Sequence, residues 1–160
     1  MKVYIGPYPD GDEERKVEIE IDKYDSWNAD HTIAMITVPI LKQLQATKHG
    51  SPYTDDEDVP EHIRSTAAKP KENEWDIDEF HHQRWEYILS EMIWALEQLV
   101  ESKEDDYFHW DESMPAKKGS LGDVRGLGGC TIDHKGLKAY NARIKRGTTL
   151  FGKYLKSCWD

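Results

Sequence analysis

Four ionisable side chains stand where catalysis could be built: Asp30 and His31, just ahead of the apolar run Ile33 to Leu41, and His81 and Glu91, on the apolar side of a later helical repeat. A carboxylate beside an imidazole can move a proton or hold a divalent ion. Brought together between two packed helices, Asp30, His31, His81 and Glu91 would form the catalytic cluster of a metal-dependent hydrolase. Burial of such groups without partners costs several kcal/mol, so structural roles compete for the same residues. Asp30 suits a helix N-terminus, His31 a polar corner, and Arg84 with Glu91 a buried ion-pair network. Asp78, His82 and Glu86 make a further stripe at four-residue spacing, but it lies largely opposite Trp85 and Leu89 and reads as a solvated face. The chain has no HExxH, repeated ExxH or paired ExxE, and neither a metal nor a cofactor is expected.

Capture of a phosphorylated ring needs different parts, namely fixed cations beside flat aromatic faces. The C-terminal part of the chain sets Arg143 near Tyr140 and Lys153 beside Tyr154, and a loop after the apolar run offers Lys48 and His49. These six residues are the candidate ligand-binding set. Six tryptophans, at 27, 75, 85, 94, 110 and 159, add ring surface. The competing use of the same cations is to complement helix C-termini, or to dock a basic helix onto an acidic segment of this chain or of a neighbour. Gly122, Gly126, Gly128 and Gly129 lack the Lys-Ser/Thr that would make a phosphate loop.

The elements that must position these residues follow from periodicity. Val3 and Ile5, then Val17, Ile19 and Ile21, alternate with polar residues around a Gly-Pro-Asp turn, which predicts an N-terminal hairpin. A helix is predicted from about Trp27 to Lys48, with Ser26 as its cap and Pro39 kinking or breaking it. Its middle is apolar nearly all round, which predicts the central element, packed on several sides. A second helix spans about 77–102, where Trp85, Leu89, Met92, Leu96 and Leu99 recur at helical spacing. A third starts near Asp133, with Gly147 and Gly152 as bending points. Between them, residues 51–76, with Pro52, Pro60 and Pro70, read as an acidic connector whose acids continue to position 79, and 103–130 as a mobile loop. The expectation is one α+β domain over 1–160, an N-terminal β-hairpin packed on about three main helices.

Composition bounds what this domain can do. With 31 acids against 21 basic residues the net charge is −10, which excludes a general nucleic-acid binder relying on bulk charge. The charge is also segregated. Residues 51–80 hold ten acids against three basic residues, whereas from His134 onward seven basic residues face one acid. No run is long and apolar enough for a membrane span or a signal peptide, and Cys130 and Cys158 support neither a zinc site nor a disulfide framework. The chain reads as cytoplasmic.

Three blocks, DSWNADHTIAMITVPILKQLQATKHGSPYTDDEDVPEHIRSTAAKPKENEWD, HHQRWEYILSEMIWALEQ and ARIKRGTTLFGKYLKSCWD, resemble a family of uncharacterised proteins encoded by tailed bacteriophages. The resemblance implies a viral protein working in the cytoplasm of an infected bacterial host, and it carries over no activity or site residue. The sequence favours a homo-oligomeric phage accessory protein that binds rather than catalyses, capturing a nucleotide-like small molecule or masking a host protein. The alternatives are the metal-dependent hydrolase above and an acidic mimic of DNA that uses residues 51–80.

Overall fold

The hairpin, helix and connector patterns fold into a mixed α+β chain, described for residues 1–159 by a computed structural model. Strands β1 (Lys2–Ile5) and β2 (Val17–Glu20) form the N-terminal hairpin. Helix α1 (Ala29–Thr47), helix α2 (His81–Glu101), strand β3 (Phe108–Asp111), the short helix α3 (Leu121–Arg125), strand β4 (Gly129–Ile132) and helix α4 (His134–Tyr154) follow.

Helix α2 is the element around which the others pack. Its interior residues span Trp85, Ile88, Leu89, Met92, Ala95 and Leu96, all at most 4% exposed, a stripe wide enough for a neighbour on each side. Helix α1 lies on one flank and α4 on the other. Both run antiparallel to α2. Lys48 pairs with Glu86 and Lys42 with Glu97 on the first flank, while Tyr154 meets Trp85, Arg143 meets Glu91 and Tyr140 meets Gln98 on the second. Ala34 and Leu41 of α1 and Leu150 and Tyr154 of α4 complete the core. At Gly147 the α2–α4 approach is so close that a Cβ would overlap the Glu91 carbonyl and the Ala95 methyl. Gly147, expected to bend α4, is where the two helices touch.

Four expectations are corrected. Helix α1 is not the centre, and Pro39 does not break it; the proline is exposed, so the carbonyl deprived of its donor can be hydrated there. Its cap position is Asn28, and the Ser26 hydroxyl donates to the Lys23 carbonyl instead. Residues 103–130 hold a second antiparallel hairpin rather than an irregular loop, with Trp110 opposite Cys130 and α3 inserted between its strands. The glycines there do turn chemistry: Gly126 ends α3 at φ 68°, and Gly128, at φ 75°, lets the backbone pass against Asp111.

The acidic connector has three short 3-10 turns, at Asp56–Asp58, Glu61–Ile63 and Ser65–Ala67. It is pegged to the core by Val59 and Ile63, 3% and 8% exposed. In the N-terminal hairpin Val3 pairs with Ile19 and Ile5 with Val17, which places all four on one face. Ile5, Val17 and Ile19 remain about half exposed.

Candidate functional site

The most chemically varied concavity lies where the connector crosses the N-terminal half of α2. Two sets of contacts hold the connector in place. From α2, the buried Arg84 guanidinium donates to both carboxylate oxygens of Asp78, at 2.9 and 2.6 Å, and to the Ile63 carbonyl at 3.1 Å. Those donors hold the Asp78 carboxyl down at about 2, despite a burial that works in the opposite direction. From α4, the Lys153 ammonium reaches Asp58 at 2.5 Å and Asp55 at 2.7 Å. The Tyr154 hydroxyl donates to Asp58 at 2.7 Å and accepts from the Asp55 backbone N–H at 2.9 Å. Arg146 donates to the Asp58 carbonyl at 2.7 Å. Burial, together with the donor bond to the Asp58 carboxylate, pushes the Tyr154 hydroxyl up to about 12, and the Asp55 and Asp58 carboxylates raise Lys153 above the ordinary lysine range.

Behind this clamp is a cavity of about 480 Å³, lined by Tyr53, Thr54, Asp56, Lys71, Ile77 and His81 together with Asp55, Ser65, Asp78 and Arg84. Its volume falls in the range of small-ligand sites. Its charges are unevenly spent. Asp78 is neutralised by Arg84 and Asp55 by Lys153, whereas Asp56 accepts from the backbone and hydroxyl of Ser65, which hold its carboxyl below the usual range. Lys71 makes no ion pair among the described residues. Tyr53, 80% exposed, and Ile77, 47% exposed, offer apolar surface at the mouth. Two buried polar atoms of the wall, Thr54 Oγ1 and Arg84 Nε, have no partner among the described residues.

The residues singled out from sequence are distributed differently from the expected cluster. Asp30 and His31 are at the start of α1 and His81 at the start of α2; because these helices are antiparallel, the two sites are about 30 Å apart along a 21-residue helix. His81 donates from Nε2 to the Ser51 carbonyl at 2.9 Å and packs edge-on against Tyr53. Glu91, a further ten residues along α2, is buried against Arg143 at 2.6 Å and Arg146 at 3.4 Å. The four do not converge, and no group of three metal-ligating side chains occurs among the described residues. Nor does the Asp78, His82, Glu86 stripe act as one face, since each has its own partner: Arg84, Ser51 and Lys48 respectively.

Of the ligand-binding set, Arg143 lies 3.8 Å over the Trp94 ring and is ion-paired to Glu91, Tyr140 is buried beside Gln98, and Lys153 and Tyr154 form the clamp described above. Lys153 and Tyr154 brace the connector, whereas Arg143 and Tyr140 meet Glu91 and Gln98 farther along α2. Lys48 and His49 line a separate open cleft with His82 and Glu86. Tyr53, Thr54, Asp56 and Lys71 escaped sequence reading because they lie in a stretch with no helical or strand period, and Ile77 was read only as the start of a helix that begins at His81. The one usable signal was the hydroxyl and aromatic pair, Tyr53-Thr54, directly preceding the acids.

Fold and site together define a class: an α+β chain with three long helices, one short helix, two hairpins and an open polar cavity between α2 and an ion-paired connector. Comparison with protein-family models, with curated proteins and with solved structures finds no match to this chain.

Proposed function

We propose that this protein acts by binding, and that the cavity beneath the connector takes a nucleotide-like small molecule. The observation that carries the reading is that one cavity of about 480 Å³ gathers an exposed aromatic ring, a carboxylate held below its usual range and a cation with no ion pair among the described residues, namely Tyr53, Asp56 and Lys71. This lining suits a ring-bearing, phosphorylated occupant. Tyr53 provides a face on which a base can stack, Asp56 is kept ionised to accept from an exocyclic amine, and Lys71 is the uncommitted cation for a phosphate. The resemblance to phage proteins would place this capture in an infected bacterium. The acidic-mimic reading has less support, because Asp55, Asp56, Asp58, Asp78 and Glu79 are committed to partners within the chain.

Isothermal titration with purine and pyrimidine nucleoside monophosphates tests the reading. Saturable binding by one of them is expected, weakened at least tenfold in Lys71→Ala and in Tyr53→Ala, with melting temperatures near that of the unmodified protein because both side chains are exposed. Absence of heat and of any thermal shift with every nucleotide at millimolar concentration would overturn it.

A further inference from the structure

Helix α1 is apolar nearly all round, yet within the chain only one of its faces is covered. Ala34, Val38 and Leu41 turn to the core. A second stripe at helical spacing, Ile33, Ile36 and Ile40, faces away from them; Ile33 is 55% and Ile40 58% exposed. Around this stripe the helix carries Ala29, Thr37, Gln43 and Thr47; Asp30 precedes Ile33 by one turn and Lys42 pairs with Glu97, so from Ile33 to Thr47 the helix bears no unpaired charge. This is unusual in a chain that is 32% charged.

We infer that a second copy of this chain covers this stripe, with α1 packing against α1 of the partner across a two-fold axis near Ile36. Three observations select a second copy over another partner. A chain of net charge −10 repels itself wherever its acids face each other, so self-association needs a neutral surface, and the outer face of α1 is one. A two-fold contact needs a patch that matches itself, and an aliphatic stripe along a helix does so in the antiparallel orientation. The area is also sufficient. The hairpin is tied to the start of α1 by the Met1 ammonium on Asp25 and by the Thr32 hydroxyl on the Asp25 carbonyl. Adding its exposed Ile5, Val17, Ile19 and Ile21, and the stacked Tyr24–Trp27 pair, brings the uncovered apolar surface of this end to on the order of 800 Å². That equals one partner's share of a stable interface and exceeds what monomers usually leave in water.

Sedimentation equilibrium on the full chain is the test, with Ile40→Glu as the first variant. The unmodified protein is expected to run at twice 18.6 kDa. Ile40→Glu is expected to run as a monomer with unchanged helical circular dichroism, since the position is exposed. As a second measurement, Ile36→Cys in a chain with Cys130→Ser and Cys158→Ser is expected to form a covalent dimer on mild oxidation, whereas Lys138→Cys in the same background is not. A monomeric unmodified protein at 100 µM, or Ile40→Glu that stays dimeric, would overturn the inference; the first result would leave the face for a different protein, a host protein among them.

Discussion

The two flanks of α2 are covered to different extents. On the α4 side apolar contacts are joined by paired charges, Glu91 with Arg143 and Arg146, and α4 in turn holds the connector through Lys153 on Asp55 and Asp58, while Arg84 of α2 holds Asp78. On the α1 side apolar contacts are joined by Lys48 with Glu86 and Lys42 with Glu97, and the outer surface of that element is left uncovered. The segment that reads as a loose acidic connector is therefore firmly anchored, while the segment that reads as the centre of the core lies at its edge. Charge content is thus a poor guide to order when opposite charges elsewhere in the chain supply partners. Apolar content is a poor guide to centrality when part of it is spare for another molecule.

The sharpest way to break this contrast is Arg84→Ala. It leaves the buried Asp78 carboxylate uncompensated and frees the Ile63 carbonyl, and should cost about 3–5 kcal/mol in urea unfolding. A loss below about 1 kcal/mol would mean that the connector is not anchored through this pair.

A smaller effect appears with acid. The Asp78 carboxyl titrates at about 2 in the folded chain, against 3.8 when unperturbed. A group whose folded value is depressed contributes stability that is present above its unfolded value and lost as pH falls through the folded one. About 2 kcal/mol should therefore disappear between pH 4 and pH 2, and Asp78→Asn should flatten that limb of the stability profile. An equally steep limb in Asp78→Asn would assign the acid sensitivity to other carboxylates.

The smallest effect is expected on the uncovered side. Ile19→Thr, at a position 58% exposed, keeps a β-branched residue in β2 and should change the stability of dilute protein by under about 0.5 kcal/mol. A loss of 2 kcal/mol would place Ile19 in an intramolecular core and erase the contrast between the two flanks.

Local pattern alone was enough for the α+β class, the N-terminal hairpin, the three long helices and the Asp133 cap, whose side chain accepts from the Gly136 N–H. Each depends on residues within one or two turns of each other, where period and capping chemistry act directly. The segregation of acid before residue 80 from base after His134 was equally plain, and with it the idea that a basic helix docks onto an acidic segment. Which atoms meet was decided only by the tertiary structure. Lys153 finds Asp58 across 95 residues, Tyr154 finds the Asp55 amide across 99, and Arg143 finds Glu91 across 52. These contacts depend on the antiparallel course of α2 and α4 and on the close approach at Gly147, and no residue spacing encodes either. The cavity and the uncovered stripe of α1 have the same origin: a sequence specifies how much polar and apolar surface an element carries, and packing decides which part of it is left facing a ligand or another molecule.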